Sequence, residues 1–535
     1  VIKIIPYNQL FLKLDGLSLS EIDLLKDILK FSDDEKDQEV FFHDDDKNNE
    51  EDNQEYQVYL NNEDGFFVLS GLKNYLISQF TERGIDFEDH FEQELKMEYE
   101  PITDKYYLDC SNDGERKFEL RDYQISSANK ALLFQRGILE IPTRGGKTEI
   151  VLAAMKRFRE KYPESKCLLV SFSSWLMLQS YNRCLQRGFT SVGRLSGEYN
   201  EIEGNYIISA VIDSLYNSVK KFHKTGERDE IYRLLEEVEF IFFDEVHMFG
   251  AVSNYSTFLE CKNVKMFIGV SGTPFVDRIG PYSNIRDAFV VGYTGGLIQK
   301  ISYQYLVERG YLADTHVFFL SYEFKTPRYF IYSYRKVYEY YIVENRNRNA
   351  LAVEIAEKFF ENGLTCLLLV KRLAHGRELL KRISLFYKDV KFIYGGPVVE
   401  GIVDGEVKEL DNFPIMEKFN KGEIKILIGS DVIATGIDFP ALDAAILLRG
   451  EGVSYIPTLQ TVARATSPNS YENKAFIVDF VDSIHAYLAR HSSFRLRDYY
   501  NRGYKVHFSI NELVDMIREV KEIRERMKNT EQYIR

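Results

Sequence analysis

Apolar and polar positions alternate along this chain in two textures. Near the start, residues 2–5 and 10–14 are short apolar runs and predict strands. Residues 20–31 place Ile22, Leu25, Ile28 and Leu29 at helical spacing, with Ser20 as the expected N-cap. A further strand is predicted at 65–69 and a helix at 72–82. From about Glu119 the texture changes. Runs rich in Val, Ile and Leu at 137–141, 166–172, 205–212, 239–243 and 265–270 alternate with amphipathic stretches such as 147–162 and 173–187. The same rhythm returns later, with helices predicted at 350–360 and 374–386. Strands are predicted there at 365–370, 390–394, 424–428, 444–448 and 475–479. Continuous apolar strands separated by helices imply parallel sheets covered on both faces. The fold class expected is therefore α/β: a small α+β unit at 1–110, a parallel-sheet unit at 111–298, a tyrosine-rich connection at 299–349, a second parallel-sheet unit at 350–485, and a helical C-terminal segment at 486–535.

Composition adds limits. Among 535 residues, 45% are hydrophobic and 28% charged, which excludes a wholly disordered chain. The 68 basic and 82 acidic residues give a net charge of −14. Residues 33–55 hold twelve carboxylates and two lysines, or −10, so the remainder carries only −14 + 10 = −4. A basic nucleic-acid groove elsewhere stays open, with Arg346, Arg348, Lys371, Arg372, Arg377 and the C-terminal arginines as its candidates. The acidic stretch reads as a solvated loop, with a DNA-mimicking or partner-binding segment as the alternative. No apolar run approaches the ~18–20 residues that span a bilayer, and no secretory leader is read at the start, so no membrane partner is expected. The five cysteines are scattered and contain no C-x-x-C, which disfavours a disulfide scaffold or a zinc site and points to a reducing, cytoplasmic setting.

The chemistry concentrates at two places. An apolar strand runs into Pro142-Thr143-Arg144-Gly145-Gly146-Lys147-Thr148, and a helix follows. Backbone N–H groups of such a loop, with the helix N-terminus, make an anion cradle. Lys147 supplies charge to β- and γ-phosphates, and the Thr148 hydroxyl suits Mg²⁺. A strict pattern wants glycine at 141, where this chain has isoleucine. About a hundred residues on, the strand Phe240-Ile241-Phe242-Phe243 delivers Asp244-Glu245 to its C-terminal end, the edge where open α/β sheets bind ligands. Asp244 is the second candidate for Mg²⁺, and Glu245 for orienting and deprotonating water. A plain polar turn is the alternative for this pair taken alone.

With those residues in view, the chain resembles the superfamily 2 helicases, built on two RecA-like domains. Asp244-Glu245-Val246-His247 resembles their D-E-x-H box. Leu120-Arg121-Asp122-Tyr123-Gln124 resembles the adenine-reading element, which implies base contacts for Arg121 and Gln124 beside the nucleotide contacts of Thr143, Gly145, Gly146, Lys147 and Thr148. The segment 169–174 lies where motif Ia touches the nucleic-acid backbone, implicating Ser171 and Ser173. Ser271-Gly272-Thr273-Pro274 resembles motif III, which implies that His247, Ser271 and Thr273 couple hydrolysis to movement. Residues 365–371, with Ala374-His375-Gly376, resemble motif IV and bring in Lys371. Residues 430–438 resemble motif V, with Thr435 near nucleic acid and Gly436 and Asp438 near nucleotide; Gln460-Thr461-Val462-Ala463-Arg464 resembles motif VI. Within the superfamily the chain looks most like bacteriophage recombination and branch-migration helicases of the UvsW kind.

The resemblance implies ATP and Mg²⁺ as nucleotide and cofactor, with catalysis by Lys147, Asp244, Glu245, Gln460 and Arg464, and ATP held between the two RecA-like domains. It also implies a monomer acting on single-stranded and branched duplex DNA, with RNA unwinding, double-strand translocation or a weakly hydrolysing clamp as alternatives. One departure matters. Ser467 stands where the motif VI pattern carries a second arginine, and such a finger is worth ~10³–10⁵ in rate. Either Arg464 supplies that charge, another basic residue reaches in, or turnover is slow.

Overall fold

The computed structural model describes residues 1–535 apart from 9, 32–56, 91–98, 111–117, 276–281, 283, 325–332, 395–397, 404–405, 412–414, 416, 420, 431–441, 451–473 and 535. The acidic stretch thus lies outside the described residues. The chain forms two compact units, Val1–Pro142 with Gly146–Ile301, and Ser302–Arg535 with Thr143–Gly145.

The first unit opens with β1 (Ile2–Pro6), β2 (Phe11–Asp15), β3 (Tyr59–Asn62), β4 (Gly65–Leu69) and β5 (Phe87–Asp89), ordered β3-β4-β2-β1-β5. The pairs are antiparallel except β1 with β5. The helix Leu19–Ile28 is capped by Ser18 rather than Ser20: Ser18-x-x-Glu21 closes a capping box, with the Ser18 N–H donating to Glu21 at 2.7 Å.

A seven-stranded sheet follows: β6 (Arg136–Glu140), β7 (Lys166–Ser171), β8 (Val192–Leu195), β9 (Ile207–Val211), β10 (Val238–Asp244), β11 (Met266–Ser271) and β12 (Leu297–Lys300). Its order is β12-β6-β11-β10-β7-β9-β8 and every pair is parallel. All strand C-termini therefore meet at one edge. Buried apolar residues of both sheets, from Ile4 and Leu69 to Phe243 and Tyr293, form one continuous core. The contact is close. A Cβ on Gly71 would lie 1.9 Å from the Val291 carbonyl oxygen, and one on Gly292 would lie 2.4 Å from Leu69 Cδ1. Glycine at both places lets the turn Ser70–Leu72 lie on the helix Ile285–Thr294.

The second unit is built on β13 (Asp314–Leu320), β14 (Cys366–Leu369), β15 (Lys391–Ile393), β16 (Val398–Val403), β17 (Glu406–Asp411), β18 (Ile426–Gly429), β19 (Ala444–Leu447), β20 (Lys474–Phe480) and β21 (Lys505–His507). The order is β17-β16-β15-β18-β14-β19-β20-β13-β21, antiparallel at β15-β16-β17 and parallel elsewhere. Two sequence readings need amendment. The stretch 299–349, read as a connection, supplies β13, which pairs with β20 along its length. The C-terminal segment, read as helical, contributes β21 at the sheet edge before the helix Ile510–Ile534.

Arg348 does not line a groove. Helical spacing in Arg346–Glu361 puts Arg348, Ala352, Ile355 and Phe359 on the buried face, and Arg348 is fully buried. Its Nε donates to Asp482 at 2.8 Å and its Nη1 to the Leu448 carbonyl at 3.0 Å. Arg495, from the helix Ala486–Asn501, reaches Asp482 at 3.2 Å and Asp479 at 2.8 Å. Two arginines and two carboxylates thus satisfy one another beneath the connection from β20 to that helix, as buried charges must. Arg377 is likewise engaged, with Glu400 at 2.6 Å. Among the described residues no helix is long and apolar enough to cross a membrane.

Candidate active site

The parallel sheet of the first unit fixes the site by register. β6 is bonded to β11 and β11 to β10, so the segments leaving all three emerge side by side. After β6 the loop at 142–146 leads into the helix Lys147–Lys161, and Gly146, at φ 74°, is its N-cap. That left-handed conformation suits glycine. A Cβ there would also meet Gln124 Nε2 at 2.0 Å, so the Gln124 amide would have to shift. Gln124 is buried beside the loop, and its Oε1 accepts the Arg121 N–H at 2.8 Å. The Arg121 guanidinium is half-buried and donates to the Tyr123 hydroxyl at 3.0 Å. Thr143 is half-buried and Gly145 buried in the loop, while Thr148 is the second residue of the helix.

β10 delivers Asp244 as its last residue, and Glu245 follows in a left-handed conformation at φ 53°, ψ 57°. A carboxylate side chain there is strained, as residues at functional sites often are. The Glu245 carboxylate forms an ion pair with Lys147 Nζ, and both side chains are largely enclosed. Its second oxygen accepts the Ser271 hydroxyl at 3.0 Å. Ser271, the end of β11, also lies 2.9 Å from His247 Nδ1 and 3.0 Å from the Thr273 N–H. A hydroxyl has one proton and two lone pairs. The proton goes to Glu245, so Thr273 N–H and His247 Nδ1–H are the two donors to the oxygen. This assigns the His247 tautomer and leaves its buried Nε2 as an acceptor with no partner among the described residues.

The electrostatics follow from burial and charge. Burial pushes the Asp244 carboxyl up to about 6, against the pull of Lys147 and with the push of Glu245. Burial acts the same way on Glu245, but Lys147, His247 and the Ser271 hydrogen bond outweigh it and hold that carboxyl below the usual range. Burial lowers His247 to about 4, so the imidazole is neutral near pH 7. The chemistry available is an ammonium and backbone N–H groups for phosphate oxygens, and an ionised carboxylate held by three groups for a water. Thr148 and Asp244 are oxygen donors of the kind a hard divalent cation takes.

The structure thus gathers Lys147, Thr148, Asp244, Glu245, His247, Ser271 and Thr273 at one edge, with Gln124 behind the loop. Of the proposed nucleic-acid residues, Ser171 ends β7 and is buried, Ser173 caps the helix Ser174–Gln186, and Lys371 follows β14, half-buried. Thr435, Gly436, Asp438, Gln460, Arg464 and Ser467 lie outside the described residues. Sequence reasoning missed Glu149. This buried carboxylate in the first turn of Lys147–Lys161 is paired with Arg183 at 3.1 Å and Arg187 at 3.4 Å. The Arg187 guanidinium lies 3.4 Å from the Phe118 ring centroid. An acidic residue two positions after Lys147, on the apolar face of its helix, was the available signal.

Comparison with known proteins finds helicase relatives. The family model described as type III restriction enzyme, res subunit, matches residues 117–276, and that of the helicase conserved C-terminal domain matches 387–467. The chain is 21% identical over 409 residues to putative helicase 22 of Sulfolobus islandicus filamentous virus (isolate Iceland/Hveragerdi), covering 72% of this chain and 67% of the relative. It is 24% identical over 380 residues to the ATP-dependent DNA helicase uvsW of Enterobacteria phage T4, covering 69% and 70%. The crystal structure of the DUF1998 helicase MrfA bound to DNA shares the fold, with a TM-score of 0.53 at 15% identity over 78% of this chain and 56% of that one.

Proposed function

Since the chain is a superfamily 2 helicase, an enzyme that hydrolyses ATP, we propose that it remodels branched DNA such as forks, D-loops and four-way junctions. The observation that carries the catalytic half is the Lys147–Glu245–Ser271–His247 network at the sheet edge. Lys147 exchanges Glu245 for the β- and γ-phosphate oxygens when the triphosphate enters, and the backbone cradle at Gly146 takes the remaining charge. Freed of its ion pair, Glu245 orients the attacking water and takes its proton, while Ser271 keeps one carboxylate oxygen in place. Thr148 and Asp244 would hold Mg²⁺, which neutralises charge on the phosphates when bound. His247 and Thr273 share the Ser271 oxygen, so any shift of the 271–273 segment is felt at Glu245.

The DNA half is supported by the similarity to uvsW and by the MrfA structure, which contains DNA. The branched substrate rests on the motif pattern shared with branch-migration helicases. The test is the ATP hydrolysis rate with no polynucleotide, single strands, duplex and a four-way junction, run beside strand-displacement assays on DNA and RNA. Stimulation greatest with the junction, and fork regression abolished by Lys147→Ala, is the expected result. Unwinding of RNA alone, or turnover that Lys147→Ala leaves unchanged, overturns it.

A further inference from the structure

The helix Lys147–Lys161 carries a negative charge at the end where an anion is to be bound. Glu149 is the third residue after the Gly146 cap, in the first turn, and it is buried. From that position a glutamate can reach back and accept the N–H of the cap residue, as in a capping box. The N–H groups of a helix start have no carbonyl partner within it, and a carboxylate competes with a phosphate for them. The Glu149 carboxylate is close to the cap, its Oε2 3.6 Å from where a Cβ on Gly146 would stand. Two arginines hold its other oxygen. Oε1 is paired with Arg183 Nη1 at 3.1 Å and with Arg187 Nη2 at 3.4 Å. Both come from one end of the helix Ser174–Gln186, Arg183 in its last turn and Arg187 as its C-cap. Four residues apart, they share a helix face. Arg187 is itself held, its guanidinium 3.4 Å from the Phe118 ring centroid.

We propose that Arg183 and Arg187 are positioning residues for nucleotide binding: they hold Glu149 off the cap of the phosphate-binding helix and neutralise it. The triphosphate then meets open N–H groups and no opposing charge. This deepens the reading of that helix start as the triphosphate cradle, and rests on it. Neither arginine touches the nucleotide; each acts through Glu149. Released from them, the carboxylate is an internal anion that competes with the triphosphate for the same end of the helix.

The experiment measures KM and kcat for ATP in the full chain and its variants. Arg183→Met combined with Arg187→Met is expected to raise KM by about 5- to 50-fold and to leave kcat within about twofold, the pattern of lost binding rather than lost chemistry. Adding Glu149→Ala to that pair is expected to bring KM back to within about threefold of wild type, because the competing carboxylate is gone. A purely structural role gives the opposite pattern. A third truncation then lowers the folded fraction, and with it the apparent kcat, and leaves KM unrescued. KM does not depend on the amount of folded enzyme, so partial unfolding does not hide the effect. Arg183→Met alone changes the more exposed of the two arginines and is the second variant, with a smaller rise in KM and the same rescue. A wild-type KM in both arginine variants, or a raised KM that Glu149→Ala leaves raised, overturns the proposal and leaves the ATP reading standing. No ATP turnover by the wild-type chain overturns both.

Discussion

The Ser271 hydroxyl donates to the Glu245 carboxylate at 3.0 Å, joining the end of β11 to the residue that follows β10. Removing that hydroxyl takes away one of the groups that orient Glu245 and strands the His247 and Thr273 donors. Ser271→Ala is expected to slow ATP turnover by roughly tenfold, or about 1.4 kcal/mol. Ser271→Thr, which keeps the hydroxyl, restores most of the rate. Steady-state phosphate release checks this, and equal rates in wild type and Ser271→Ala would refute the positioning role.

Lys147 and Glu245 form an ion pair, and on the proposed reading their variants separate binding from chemistry. Glu245→Gln removes the base and keeps the phosphate contacts. Its turnover is expected to fall by about 10²-fold or more while nucleotide affinity is kept. Lys147→Ala is expected to weaken ATP binding as well. Equilibrium binding of a labelled nucleotide, measured beside turnover, distinguishes the two.

Gly146→Ala meets two obstacles at once, a left-handed φ of 74° and Gln124 Nε2 at 2.0 Å from the new Cβ. The backbone strain alone costs about 1–2 kcal/mol. Weaker nucleotide binding is expected. Calorimetric titration with nucleotide checks this, and an unchanged affinity would refute it.

The second unit depends on its buried charges. Asp482→Ala leaves Arg348 and Arg495 without one of their carboxylates, at a cost of about 3–5 kcal/mol. A lowered unfolding midpoint is expected, with the largest hydrogen-exchange increase in β20 and the helix Ala486–Asn501. An unchanged midpoint would show that the network is structurally idle.

Acid acts through buried imidazoles. Burial lowers His375 to about 3, with Arg348 adding to the effect, and its Nε2 donates to Asn349 at 2.8 Å. An unfolded histidine titrates near 6.5. The unfolded chain therefore takes the proton first. The stabilisation is complete above about pH 6.5 and is lost as pH falls toward 3. Between pH 6.5 and 5 the loss is about 2 kcal/mol. His375→Gln is expected to flatten that part of the stability profile, as read from denaturation midpoints at each pH.

The sheet strands and the residues gathered at the candidate site were legible because both follow local rules. β6, β7, β10 and β11 are unbroken apolar runs, and Lys147, Asp244 and Glu245 sit where such strands stop. The burial of Arg348 was not legible, because a charged residue reads as exposed until its partner Asp482, 134 positions away, is brought alongside. β21 was hidden for a similar reason, since three residues carry too little pattern to stand out from flanking helices. The exchange of Ser20 for Ser18 as helix cap turned on one hydrogen bond to Glu21.

Gly71 lies against the Val291 backbone and Gly292 against the Leu69 side chain, with no room for a side chain at either glycine. A seam that tight has no slack to act as a hinge. The five-stranded module is therefore a fixed extension of the first unit's parallel sheet. Cutting the chain after the module to obtain a smaller motor would expose the apolar underside that Leu69 and its neighbours cover.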